Sequence, residues 1–252
     1  MLAITNSSDL VLSDSQGITS WVTKNNISSG GTGVSAVLLD TGNFVLRFAN
    51  GTHIWQSFDH PTDTILPTMK FLVRHKGQVG GRLVAWKGPD DPSSGGFSCR
   101  SDPASPDLQM LISNRTRPYY RGGWNGQTVS GGMCLSNSSS TVVQTAIDLQ
   151  DELYFMFTVS DGSPFTFFML EHTGKLTSLS WNNQSFSWVT IASHPAAACD
   201  IYSSCGPFGY CDLTVRAAMC QCLDGFEPNG LNISRGCRKA ILFHALVYDK
   251  GP

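Results

Sequence analysis

Charge is scarce in this sequence. Only 14% of its 252 residues are charged, 17 basic against 19 acidic, for a formal net charge of -2. No Lys/Arg run exceeds two, so the field that draws a polyanion is missing and nucleic acid is excluded as a partner. Long apolar runs are also missing: nothing approaches the roughly 20 residues of a membrane-spanning helix. The chain opens "MLAITNSSDLVL", without the basic and apolar segments of a signal peptide. The expectation is a fragment, truncated at both ends, of a secreted or membrane-anchored protein. Catalytic signatures are lacking too. There is no HExxH, GxSxG or P-loop, and the six histidines are scattered. "GTGVSA", Gly31 to Ala36, formally fits GxGxxA, but no strand precedes it and no helix follows, so it reads as a loop. No catalysis, cofactor or metal is expected.

What is present is Ser, Thr, Asn and Gly, with 41% hydrophobic residues. This composition points to a folded chain of strands with hydroxyl- and amide-solvated surfaces rather than long helices. The eight cysteines are unevenly placed. Cys99 and Cys134 stand apart, whereas Cys199, Cys205, Cys211, Cys220, Cys222 and Cys237 crowd one end. Asn6, Asn26, Asn50, Asn114, Asn137, Asn183 and Asn232 each begin an N-x-[ST] triplet, which is seven of the 12 asparagines. Clustered cysteines with this density of glycosylation sequons indicate the oxidising secretory route.

An ungapped repeat with a period of 34 residues occupies the N-terminal part. Leu2, Ile4, Leu10, Val11, Leu12, Gly17 and Trp21 fall on Ala36, Leu38, Phe44, Val45, Leu46, Gly51 and Trp55. In each copy an apolar run, "DLVL" or "NFVL", precedes a Gly-containing turn and a Trp, the pattern of short antiparallel strands. Such a small sheet cannot bury its apolar face alone. The copies are expected to share a core, with Trp21 and Trp55 as its large buried side chains.

The segment "LLDTGNFVLRFANGTHIWQSFDHPTDTILP" resembles the signature of the bulb-type lectins found at the N-terminus of plant S-locus glycoproteins and S-domain receptor-like kinases. The resemblance implies an all-β chain: a partial β-prism II, then a β-rich S-locus glycoprotein domain, then a small disulfide-rich EGF-like module. In the family the prism holds three four-stranded sheets, of which about two are visible here, so apolar sheet surface would stay uncovered. Lectins of the family hold mannose through QxDxNxVxY, whose polar positions share one strand face. Here the matching positions read Leu39, Thr41, Asn43, Val45 and Arg47 in the second copy, and Thr5, Ser7, Asp9, Val11 and Ser13 in the first. Gln, Asp and Tyr are lost in both copies. Asn43, Val45, Asp9 and Val11 are therefore degenerate sugar-motif positions, and Asn43 and Asp9 are read as turn residues.

Further on, "LVAWKGPDDPSSGGFSC" and "RPYYRGGWNGQTVSG" also look like the S-domain family, Trp124-Asn125-Gly126 standing where its "WNG" stands. In "DELYFMFTVSDGSPFTFFMLEHTGKLTSLSW", breaks at Asp161-Gly162 and Thr173-Gly174 read as hairpin turns of a meander. Tyr154, Phe155, Phe157, Phe165, Phe167 and Phe168 read as one buried core face rather than a ligand platform. The clustered cysteines follow C-x5-C-x5-C-x8-C-x-C-x14-C, which formally permits 15 pairings. Zinc is disfavoured because paired C-x2-C knuckles are missing. The C-x-C step and Gly225-Phe226 resemble an EGF-like module, and that resemblance implies Cys199 with Cys211, Cys205 with Cys220, and Cys222 with Cys237. "SHPAAAC" before the first of these offers no calcium ligands. A bridge between Cys99 and Cys134 is a further possibility.

Four units follow from this reading: a lectin domain at 1–72, an S-locus glycoprotein domain at 73–198, an EGF-like module at 199–237 and a divergent tail at 238–252. In full-length relatives a PAN/apple module, a membrane span and a serine/threonine kinase would normally come next. The resemblance implies an extracellular or cell-surface recognition module that binds a protein or peptide ligand and forms a homodimer or pairs with a receptor, as in recognition of pollen or defence-type signalling. The alternative is a mannose-type lectin that binds glycan. "IWQSFDHPTDTILP", with Ser57, Asp59, His60 and Asp63 close together, has the residue types of a hydrolytic site. Pro61 and Pro67 make it a corner where the chain leaves the prism, its polar side chains capping exposed backbone amides.

Overall fold

Two runs of three short strands, each separated by glycine- or serine-bearing turns, open the chain and form two separate three-stranded antiparallel sheets. The structure is a computed structural model, and it describes residues 1–25, 33–75, 78–102, 109–123, 142–212, 214, 219–230 and 235–240. The first sheet holds β1 (Leu2–Ile4), β2 (Leu10–Ser13) and β3 (Thr19–Val22); the second holds β4 (Ser35–Leu38), β5 (Phe44–Arg47) and β6 (His53–Gln56). The 34-residue period is reproduced down to the register. Leu12 faces Trp21 and Leu46 faces Trp55, with the same irregularity one residue later in each copy. The first turn closes with Ser8 donating to Thr5 in one copy and Gly42 to Leu39 in the other, and both sit at positive φ, 64° and 85°. Glycine takes up that left-handed conformation without the steric cost a Cβ carries, so the second copy closes its turn with less strain.

After β6 a short 3-10 turn, Ser57–Asp59, redirects the chain out of the second sheet. β7 (Thr64–Ile65) then joins one four-stranded sheet, while β8 (Phe71–His75) and β9 (Gln78–Val79) join another. A third is the meander β10 (Arg82–Gly88), β11 (Asp91–Ser101), β12 (Gln109–Asn114) and β13 (Arg117–Gly123). β14 (Val142–Asp148) and β15 (Glu152–Val159) complete the sheet ordered β14-β15-β8-β9. β16 (Thr166–Leu170), β17 (Leu176–Asn182) and β18 (Ser187–His194) complete β18-β17-β16-β7. The core lies among these three sheets, with Ile65, Phe71, Leu83, Ile112, Phe157 and Phe168 all nearly inaccessible. Phe157 and Phe168 meet edge to face, centroids 4.8 Å apart, an arrangement favoured by the ring quadrupoles.

Two expectations are corrected here. Thr173-Gly174 does close the β16–β17 hairpin, but Asp161-Gly162 closes none: β15 pairs with β14 and β8, and β16 with β17 and β7, so the turn carries the chain between sheets. The aromatic run is split accordingly. Tyr154, Phe155, Phe157 and Phe168 are core, whereas Phe165 is 74% exposed and Phe167 is partly buried, because they flank that crossover. Trp21 and Trp55 are likewise not the buried pair expected. Trp21 is 42% exposed and touches Trp55, itself only half-buried, edge-on at 5.7 Å, while Leu2, Ile4 and Leu12 are also exposed. Leu10 of the first sheet is buried, so the sheet is covered at that end and left open around Leu12 and Trp21.

The chain divides into two compact units, 1–193 and 194–252. The second contains two hairpins, β19 (Gly209–Asp212) with β20 (Met219–Cys222), and β21 (Phe226–Pro228) with β22 (Cys237–Lys239). Its sulfurs join Cys199 to Cys211, Cys205 to Cys220 and Cys222 to Cys237, with Cα separations of 5.8, 5.3 and 5.7 Å. So small a unit has little apolar surface to bury, apart from the stacked Phe208 and Phe226 rings, so the cross-links are its main constraint.

Candidate functional site

The degenerate sugar-motif positions form a hydrogen-bond clamp in each copy of the repeat. In the second, Asn43 is buried at the start of β5. Its Oδ1 accepts from Ser57 Oγ at 3.2 Å and the Phe58 amide at 3.3 Å, and its Nδ2 donates to Gln56 Oε1 at 2.9 Å. Ser57 Oγ in turn accepts from the Phe44 amide at 2.9 Å. The first copy repeats the scheme 34 residues earlier at Asp9, Leu10 and Thr23, with its amide donor shifted by one residue to Asn25. Asp9 Oδ1 accepts from Thr23 Oγ1 at 3.1 Å and the Asn25 amide at 2.7 Å, and Thr23 Oγ1 accepts from the Leu10 amide at 3.0 Å. Asp9 and Asn43 are thus more than turn residues: each ties the first turn of its sheet to the strand end that leaves it. The Asp9 carboxyl is held below its usual range, first by the Asn25 amide and, against the effect of burial, by the Thr23 and Ser7 hydroxyls. Both ends of the Asn43 amide are consumed internally, and Val45 is fully buried.

A cleft of about 700 Å³ opens beside the second clamp, between it and the strands that follow. Leu39, Phe58, Pro61 and Leu72 supply apolar walls; Asp59, Lys70 and Glu152 supply charge. Asp59 is held by Gln56, whose Nε2 donates to both carboxylate oxygens at 3.0 Å. Lys70 sits 2.5 Å from Glu152 and over the Tyr154 ring at 4.5 Å. The hydrogen bond to Glu152 raises the Lys70 pKa above the ordinary lysine value, so the ammonium stays charged at neutral pH. An ammonium, two carboxylates and apolar walls can bind a polar ligand.

The cluster that resembled a hydrolytic site is taken apart by the structure. Ser57 is engaged with Asn43 and Phe44. The His60 ring stacks on the Trp55 indole, centroids 5.3 Å apart and planes 9° from parallel. Asp63 Oδ1 accepts from the Thr62 and Thr64 hydroxyls at 3.1 Å each. Every one of these groups serves the corner.

Among the sequons, Asn6, Asn50, Asn114 and Asn183 are exposed at or beside hairpin turns, where a glycan meets no steric bar. Asn26, Asn137 and Asn232 lie outside the described residues, as does Cys134. Cys99 is buried in β11 without a sulfur partner among the described residues, and burial pushes its thiol pKa up to about 12. Sequence reasoning missed Gln56, Lys70 and Glu152. Lys70 and Glu152 are 82 residues apart, and only the pairing of β8 with β15 brings their surroundings together. Among the described residues no helix is long and apolar enough to cross a membrane, and no group of three or more potential metal ligands occurs.

Comparison with known proteins supplies the family. The profile described as D-mannose binding lectin matches residues 1–87, and that of the S-locus glycoprotein domain matches residues 119–230. The G-type lectin S-receptor-like serine/threonine-protein kinase B120 of Arabidopsis thaliana is 34% identical over 249 residues, 95% of this chain and 29% of the kinase. The S-locus-specific glycoprotein BS29-2 of Brassica oleracea var. alboglabra is 32% identical over 242 residues, 92% of this chain and 55% of that protein. The receptor-like serine/threonine-protein kinase SD1-8 of Arabidopsis thaliana is 32% identical over 248 residues, 93% of this chain and 29% of that kinase. The chain therefore spans from under a third to just over half of the length of these relatives. With a D-mannose binding lectin portion followed by an S-locus glycoprotein portion, and relatives of this kind matched over most of its length, this chain belongs to the family of S-locus glycoproteins and G-type lectin S-receptor-like kinases.

Proposed function

We propose that this chain is a non-catalytic extracellular recognition module of the S-domain family, binding a protein or peptide ligand in a setting such as pollen recognition or defence-type signalling. The observation that carries the reading is the state of the lectin motif. Asn43, the one polar motif position kept in the second repeat, commits its carbonyl oxygen to Ser57 and Phe58 and one N–H of its amide to Gln56. A side chain whose acceptor and one donor are already paired inside the protein gains little by turning to a sugar hydroxyl. The exposed sequons and the cross-linked C-terminal unit support the extracellular side of the reading. Secreted expression followed by mass-spectrometric mapping tests it: Asn6, Asn50, Asn114 and Asn183 should carry glycans and the six clustered cysteines should be bonded. Free thiols and bare asparagines would overturn it.

The second reading, a mannose-type lectin, is favoured by the match of residues 1–87 to the D-mannose binding lectin profile. A glycan array separates the two. Mannose-dependent binding lost on Asn43→Ala supports the lectin; a blank array removes it. Under either reading the same material, passed over a sizing column, reports whether the module dimerises.

A further inference from the structure

A second cleft adjoins the one beside Asn43, sharing Thr41 and Thr68 with it, and follows from the two elements the sequence misassigned. It measures about 1000 Å³, the upper end of the range of roughly 300–1000 Å³ for ligand pockets. It runs from the first turn of the second repeat, past Leu66 and Pro67, to the 158–167 crossover and the tryptophans of β17 and β18. Trp188 is its central ring. Phe167 and Trp181 both meet it edge-on, at 4.6 and 5.3 Å, so the three rings brace one another. Trp86, Phe165 and Trp188 nevertheless leave a large part of their surface to solvent. Exposed aromatic area on this scale, gathered in one concavity, is the usual mark of an interaction site.

The electrostatics of the cleft are one-sided. Asp40, Asp63 and Asp161 line it, and among its described lining residues there is no Lys, Arg or His. A concave, partly apolar wall focuses that field, and aromatic faces add attraction for a cation. A neutral ligand could use these carboxylates only as hydrogen-bond acceptors, whereas a guanidinium or ammonium gains charge attraction from them as well as from the aromatic faces. The backbone adds no strand edge among the described residues. Thr166, the first residue of β16 and beyond its pairing with β7, is buried, and the Phe165 carbonyl already accepts from Trp181 on the β17 side, so a ligand in the cleft meets side chains rather than a free ladder.

We infer that this cleft is the seat of a peptide segment carrying Arg or Lys next to aliphatic or aromatic residues, packed against Trp188 with its cation toward Asp161 and Asp40. The inference rests on the reading of the chain as a peptide- or protein-binding module. A phage-displayed library of random peptides, panned on the secreted full chain, tests it. Enriched sequences should be basic and apolar. Calorimetric titration of their synthetic versions should show affinity lower by about tenfold in Asp161→Asn, in keeping with loss of one charge contact, and lower still in Trp188→Ala. Both side chains are solvent-accessible, and an unchanged thermal midpoint separates loss of contact from loss of fold. Enriched peptides that bind both variants as well as the parent chain, or that are acidic, would overturn the cleft assignment and leave the peptide-binding function standing. Failure to enrich any peptide, with mannose oligosaccharides binding in the same calorimeter, would overturn both.

Discussion

The two N-terminal sheets share a register, a turn scheme and a side-chain clamp, yet they differ in what they bury. Leu46 is fully inaccessible, while its counterpart Leu12 is 45% exposed; Val45 is fully inaccessible, while Val11 is only partly covered. Short-range hydrogen bonds and turn conformations depend on residues within one repeat, so a repeated pattern reproduces them. Burial depends on what is packed against the sheet, and no repeat of 34 residues can supply that for itself. The second sheet runs straight into the strands that build the core; the first does not.

Truncating the paired leucines should separate the copies most widely. Leu46→Ala is expected to lower unfolding free energy by about 2–5 kcal/mol, through lost transfer energy and the cavity left behind. Leu12→Ala should cost less than about 1.5 kcal/mol because much of its surface is already in water. Urea unfolding followed by tryptophan fluorescence measures both. Equal losses would break the comparison, since they would mean that Leu12 is covered in solution.

The clamps should differ less. Asn43→Ala strips a buried hydroxyl, amide N–H and glutamine carbonyl of their partner, for about 1–3 kcal/mol. Asp9→Ala exposes its partners to water instead, and about 0.5–1.5 kcal/mol is expected from the same denaturation series.

Acid should produce the smallest and most selective difference. The folded Asp9 carboxyl lies below its ordinary value, so its contribution is present above the unfolded pKa of about 3.9 and is lost as pH falls through the folded one. Asn43 does not titrate. Hydrogen exchange should show the Leu10 and Asn25 amides losing protection on acidification while Phe44 and Phe58 keep theirs. Asp9→Asn should remove the contrast.

The strands, the all-β class and the period were legible because alternation, turn glycines and a fixed spacing are local signals. The corner at Ser57–Asp63 was legible for the same reason, since two prolines and several short polar side chains leave few conformations open. The exposure of Trp21 was not legible: an apolar residue in a strand reads as core, and only the presence or absence of a covering layer decides the matter. Nor was the crossover at Asp161-Gly162, whose Asp-Gly chemistry suits a hairpin equally well; the partner of β16 is β7, about a hundred residues earlier in the chain. The crossover that leads into β16 leaves Phe165 exposed beside the tryptophans that line the aromatic cleft.

The sequence by itself determined the local units of this protein: which residues form strands, where each repeat turns and where the cysteines concentrate. Tertiary structure alone decided which faces are covered and which sheets the strands enter, and therefore where the clefts lie. The physical reason is range. Backbone preference and nearest-neighbour hydrogen bonds act over a few residues, whereas burial and strand pairing are set by partners that the chain brings together only when it folds.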